Sequence, residues 1–159
     1  MLFAAVWCLI VGGCGRTSAA NAPVASKAEV EAATKSFIQA WEKKDLAAVT
    51  GAFSNDAMAF DPVPPGRFDG AAGIHAWVAG DFQVLSQISI TISDLRIQTM
   101  GPVAWVTSRY VFKAVMDGQP AGDAGNLSLV WVKQPDGAYK LSVFHASVPP
   151  PATPPPAKK

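Results

Sequence analysis

Apolar positions in this chain change their period about halfway along. Val30, Ala33, Phe37, Ile38 and Trp41 recur at the spacing of one helix face, which predicts a first helix from about Ala28 to Glu42. Asp45 is placed to cap a second, short helix carrying Leu46, Val49 and Phe53. Ser54-Asn55-Asp56 then reads as a turn, and Ala57 to Asp61 as a brief strand. Gly66 to Gly70 is turn-like, and Ala71 to Ala79 reads as a third helix burying Ile74 and Val78. Beyond it the pattern becomes that of strands. Ile88, Ile90 and Ile92 alternate with Ser89, Thr91 and Ser93, but Leu95 and Ile97 fall on the opposite parity, so a bulge is expected near Ser93-Asp94. Val103 to Val115 is a long β-branched and aromatic run after the Gly101-Pro102 turn, and Asp117-Gly118 sits in the connection that follows. Leu127–Lys133 and Tyr139–Ser147 form a predicted hairpin across Pro135-Asp136-Gly137. Three helices broken by one short strand, then four antiparallel strands, give an α+β layer structure: a strongly bent antiparallel sheet with helices packed across its concave face.

The flanks differ in composition from this core. Leu2 to Val11 is almost wholly apolar and ends in Val11-Gly12-Gly13-Cys14. It falls short of the roughly 20 residues a bilayer span needs, and fits a signal peptide covering residues 1–13. Small residues before Cys14 resemble a bacterial lipobox, whose cysteine is acylated. The alternative is an ordinary secretory peptide with a chance cysteine. On the lipobox reading the product is a lipoprotein of the bacterial cell envelope, with Cys14 and residues up to 26 as a flexible leash. Cys8 lies in the segment to be removed, so the mature domain holds no free thiol for disulfides, nucleophilic catalysis or thiolate metal sites. Residues 149–159 hold six prolines and read as a Pro-rich disordered tail. A single domain is left at 27–148. The formal net charge of +1 gives no reason to expect a nucleic-acid partner.

Asp61 is the leading candidate for chemistry. It stands at a strand end before Pro62, with Met58, Phe60 and Val63 as apolar neighbours in sequence. A carboxylate in apolar surroundings has its pKa raised towards the range useful for a general base. The structural alternative is a cap on the Pro62–Gly66 turn. The stretch Asp45 to Val63, DLAAVTGAFSNDAMAFDPV, resembles the ketosteroid isomerase and SnoaL-like branch of the NTF2-like superfamily, in which a helix pair, a short strand and an Asp-Pro-Val step place the catalytic base in a conical pocket. The closing Tyr139–Ser147 segment, with its His-Ala-Ser step, is similar to the last strand of SnoaL-like and DUF4440-type proteins. The resemblance implies an NTF2-like cone over almost all of Ala28 to Val148, and permits a homodimer through the sheet. It does not carry over the isomerase's oxyanion hole: the tyrosine's place falls on Phe37, and the aspartate's near Val130 or Trp131.

His145 is the second candidate, because it shares strand parity with Leu141, Val143 and Ser147 and is predicted to face the pocket as acid, base or donor. Phe37, Trp41, Phe60, Trp77, Trp105, Arg109 and Ser147 are the candidate ligand-binding residues, the tryptophans as stacking walls and Arg109 for an anionic group or for solvent. His75, beside Ile74, reads as a rim or surface residue. Asp61, His145 and His75 are too few, and wrongly spaced, for a metal site, and no cofactor is implied. Three function classes remain: a pocket for a small apolar or aromatic molecule, a proton-transfer enzyme using Asp61 with His145 (isomerase, cyclase or hydratase), and a non-catalytic interaction module with a filled cone.

Overall fold

The computed structural model describes residues 23–150. The expected signal peptide, the acylation site at Cys14, most of the leash and the tail from residue 151 lie outside the described residues. In chain order the elements are α1 (Lys27–Glu42), α2 (Leu46–Gly51), β1 (Phe53–Phe60), β2 (Arg67–Asp69), α3 (Gly70–Val84), β3 (Leu85–Met100), β4 (Val103–Met116), β5 (Gln119–Lys133) and β6 (Tyr139–Ser147). The strands form one sheet in the order β2-β1-β6-β5-β4-β3. The α+β class, the helices before the sheet and the β5–β6 hairpin are as the pattern predicts.

α1 and α2 each start where a side chain satisfies a free amide of the first turn, whereas α3, which follows Asp69, has no such side-chain cap. Ser26 Oγ accepts from Glu29 N at 3.2 Å, and Asp45 Oδ1 from Ala48 N at 2.9 Å. The apolar stripe of α1 is laid on the sheet: Phe37 meets Phe53, Trp131 and Phe144 at ring-centroid distances of 5.6, 6.1 and 6.2 Å. One polar contact crosses this core. The Trp131 indole donates to Thr34 Oγ1 at 3.1 Å, with both residues buried. Glu29 anchors the start of the helix by accepting from Lys133 Nζ and the Tyr139 hydroxyl.

The sheet departs from the sequence pattern in four places. Ser54-Asn55-Asp56 is not a turn; it lies within β1, which begins at Phe53. Three extra residues bulge there, because Phe53 pairs with Leu141 but Met58 already pairs with Val143. β1 also joins β6 in parallel, so the sheet is mixed rather than wholly antiparallel. Arg67–Asp69 adds a short edge strand. Finally, β5 begins at Gln119 and not at Leu127. Asp117 and Gly118, both at positive φ, make a two-residue turn between the paired Met116 and Gln119.

Besides a slip between Ser86 and Ser89 of β3, two register slips decide the facing of side chains. Between Ser93 and Arg96 of β3 the partner strand advances only from Arg109 to Thr107, with Asp94 at φ 54°. This is the bulge that the switched parity predicts. The second is in β6: Val143 pairs with Val130, yet Leu141 pairs with Trp131, leaving Ser142 as an extra residue. At the far end of β6 the strands approach closely: a Cβ on Gly125 would stand 1.9 Å from the Ser147 carbonyl oxygen, so only glycine fits.

Candidate functional site

A cavity of about 390 Å³ opens between α1, α3 and the concave face of the sheet, within the range of small-molecule sites, roughly 300–1,000 Å³. Aromatic rings make much of its wall. Trp41 packs on Trp77 at 5.4 Å, and Trp77 is held from one side by the stacked ring of Phe68 at 5.1 Å and from another by Phe144 at 5.3 Å. These contacts fix the indoles in place before any ligand arrives. A second, open groove of about 450 Å³ beside Asn55, Gln134 and Asp136 is lined mainly by polar side chains and lies away from these walls.

Asp61 follows β1 on the inward parity of Ala57 and Ala59, both fully buried, and its side chain lines the cavity. Its carboxylate also accepts from Val63 N at 2.9 Å, closing the turn after the strand. Both readings of this residue therefore describe it: it caps a turn and faces the pocket. Burial raises its pKa, the Val63 amide opposes this, and the charge of Asp123 adds to it. Its apolar setting does not come from Met58 and Phe60, which lie on the outward parity; Val63, though largely exposed, lines the cavity beside it. The apolar setting comes from the cavity.

His145 is not in the cavity. The extra residue at Ser142 reverses the parity of β6, so Phe144 and Ala146 line the pocket while His145 is exposed on the outer face. There its ring meets the edge of Phe60 at 5.9 Å. Phe60 itself carries the Arg67 guanidinium at 5.8 Å and belongs to the same outer surface. Ser147 shares the parity of His145 beyond the slip. Trp105 and Arg109 alternate with the buried Ala104, Val106, Ser108 and Tyr110 of β4 and also point outward. Phe37, Trp41 and Trp77 do line the cavity, and His75 is exposed as expected. Asp61 and His145 thus face opposite sides of one sheet and do not form a shared site.

Three polar residues in the cavity were not singled out by the sequence pattern. Asp81 sits on the last turns of α3, which runs past Gly80. Burial raises its pKa to about 6, the charge of Asp61 adds to this, and Trp77, one turn earlier, partly opposes it. Asp123 comes from the early half of β5. Tyr110, on the inward parity of β4, is only 8 % exposed, and its hydroxyl has no hydrogen-bond partner. Burial, then the nearby Asp123 carboxylate, raise the phenol's pKa, although the two groups do not meet in hydrogen-bond geometry. Asp123 Oδ1 is likewise buried without a partner. Among the described residues, none that lines the cavity is Lys, Arg or His. Parity with Val106 and Phe112 was the signal that could have identified Tyr110.

The fold agrees with that of known proteins. An NTF2-like superfamily protein from Salmonella enterica serovar Typhimurium superimposes with a TM-score of 0.70 at 20% identity, covering 83% of this chain and 95% of that one. A ketosteroid isomerase-like protein from Erwinia carotovora atroseptica gives 0.68 at 20% identity, covering 78% and 96%. An NTF2-like protein of unknown function from Pseudomonas putida gives 0.66 at 16% identity, covering 77% and 85%. No curated protein matches this chain significantly. The family model of the SnoaL-like domain matches residues 30–151, most of the chain and all of the cavity-forming elements, and the chain belongs to that family.

Proposed function

We propose that this domain binds a small apolar or aromatic molecule in the cone, on an exported chain anchored to the bacterial envelope through Cys14. The observation that carries the binding reading is the cavity of about 390 Å³ between Trp41, Trp77 and Phe37. Preformed aromatic walls favour a flat ligand because little side-chain freedom is lost when it enters. The open cavity counts against a filled cone that serves only as a scaffold.

A second reading is proton transfer. Asp61 and Asp81, both with raised pKa, line one cavity, which suits a base or an acid–base pair working near neutral pH. The free hydroxyl of Tyr110 supplies a hydrogen-bond donor for charge developing on a substrate oxygen. Asp81 replaces His145 as the partner of Asp61 in this scheme. Likeness to a ketosteroid isomerase-like protein is compatible with it but extends to the fold alone.

The outer sheet face offers a surface for a homodimer. Trp105, Val130, Val143 and Met58 are paired in register across four strands and form an apolar row. Burying such a row against a second copy is favourable at about 25 cal/mol per Å².

One experiment tests address and pocket together. The native protein is purified from the membrane fraction, and mass spectrometry reads the N-terminus and any bound molecule. An acylated Cys14 and a co-purifying aromatic compound are expected. An unmodified Cys14 ends the anchor, and a pocket that neither retains nor rebinds any apolar compound ends the binding reading. With a substrate in hand, Asp61→Asn abolishes turnover and leaves apolar affinity nearly unchanged if proton transfer is right.

A further inference from the structure

The cavity combines aromatic walls with an excess of negative charge. Asp61 after β1, Asp81 on α3 and Asp123 on β5 reach it from three separate elements, and among the described residues no basic side chain lines it. Nearby charged groups are already engaged: Lys44 Nζ donates to the Leu85 carbonyl at 2.6 Å, and Glu42 Oε1 accepts from Ile90 N at 2.9 Å. Buried carboxylates are ordinarily paired or fully hydrogen-bonded, because removing charge from water is costly. These three are half-buried, and among the described residues none is paired with a cation. Asp61 keeps one hydrogen bond at the turn, while Asp123 Oδ1 has none.

Tyr110 is an independent sign of an absent partner. Its side chain is more than nine-tenths buried, it lines the cavity, and its oxygen is unpartnered. A phenol oxygen beside a carboxylate is a pair of acceptors for an N–H group. An anionic ligand would meet three like charges. A neutral ring would use the walls but leave the carboxylates without a counter-charge. A metal ion fits poorly, since among the described residues no three His, Cys, Asp or Glu side chains converge to hold one. An organic cation satisfies both halves of the pocket: its ammonium donates to the acceptors, and its ring lies on indoles whose faces also attract positive charge.

We propose that the cavity is selective for an aromatic amine, with its ring against Trp41 and Trp77 and its ammonium beside Asp123 and Tyr110, in the field of Asp61 and Asp81. This rests on the ligand-binding reading of the same cavity and names the class of ligand. The amine's charge also offsets the penalty that burial imposes on the charges of Asp61 and Asp81.

The test compares three probes that share one ring. Tryptamine, tryptophol and indole-3-acetate carry an ammonium, a hydroxyl and a carboxylate on the same indole. They are titrated calorimetrically into the full chain, purified in mild detergent at pH 7.5. Tryptamine is expected to bind at least tenfold more tightly than tryptophol, with indole-3-acetate weakest. Asp123→Asn is expected to weaken tryptamine about tenfold and leave tryptophol unchanged. Asp81→Asn provides a second variant should the first misfold. Tryptophol binding as tightly as tryptamine overturns the amine proposal and leaves the apolar pocket standing. Tighter binding of tryptamine that neither substitution reduces overturns the assignment to this cavity. No binding of any of the three overturns the amine proposal and the pocket reading together.

Discussion

Asp81→Asn should make the protein more stable, and more so at neutral than at acid pH. Burial and the charge of Asp61 raise the Asp81 pKa from 3.8 to about 6. The folded state therefore holds this proton more tightly than the unfolded chain does, so the ionised form carries a folding penalty. The penalty is absent below about pH 3.8 and fully present above about pH 6, and stability falls as the pH rises through that window. Without screening, the shift corresponds to about 3 kcal/mol. Asp81 is partly exposed, so solvent reduces this to about 1–2 kcal/mol. Asparagine keeps the shape and an acceptor for Trp77 but cannot ionise. Urea unfolding of both proteins at pH 7.5 and pH 4.5 measures the effect. The variant is expected to be about 1–2 kcal/mol more stable at pH 7.5, with the gap shrinking at pH 4.5. An equal or less stable variant at pH 7.5, or a gap of the same size at both pH values, refutes the argument. A residue whose removal strengthens the fold owes its place to what the cavity does.

Two further outcomes follow from contacts outside the cavity. Thr34→Val leaves the buried Trp131 indole N–H without its acceptor, and is expected to cost about 1–3 kcal/mol in urea unfolding; a loss under about 0.5 kcal/mol would show that the bond carries little. Trp105→Lys puts a charge in the outer apolar row, and sedimentation equilibrium should show a dimer becoming monomeric, whereas a wild-type monomer or an unaffected dimer removes that interface.

The helices and the β3 bulge could be read from sequence because a wrong register there is expensive. Phe37 and Trp41 have to face the sheet, and the isoleucines of β3 leave only one parity consistent with burial. In β6 both parities are apolar: Leu141 and Val143 on one, Phe144 and Ala146 on the other. The pattern therefore does not reveal the extra residue at Ser142, and His145 was placed on the wrong face. The start of β5, QPAGDAGN, lacks the β-branched and aromatic residues that mark strands. It is a strand because its backbone completes the ladder with β4 and its glycines tolerate close approach. Asp123 was hidden with it, and Asp81 was hidden by a helix that continues through Gly80. Asp61 was legible because a polar residue interrupts an apolar strand end. Its acidic neighbours were not, because each lies where local preference understates the structure.

The extra residue at Ser142 gives the outer face and the cavity different reagents from one short strand. Side chains in a strand alternate strictly, so pairing Ser142 into the ladder while Leu141 stays in register would turn His145 inward and carry Phe144 out. Phe144 would then leave its contacts with Phe37 and Trp77. Absorbing the bulge is therefore enough to exchange an aromatic pocket lining for an imidazole, whereas deleting Ser142 would leave both residues on their present faces. Aligning relatives by simple column across this strand would compare residues that belong to opposite surfaces. In such a fold, whether β6 bulges between Leu141 and Val143 is as much a determinant of chemistry as the identity of the residues it carries.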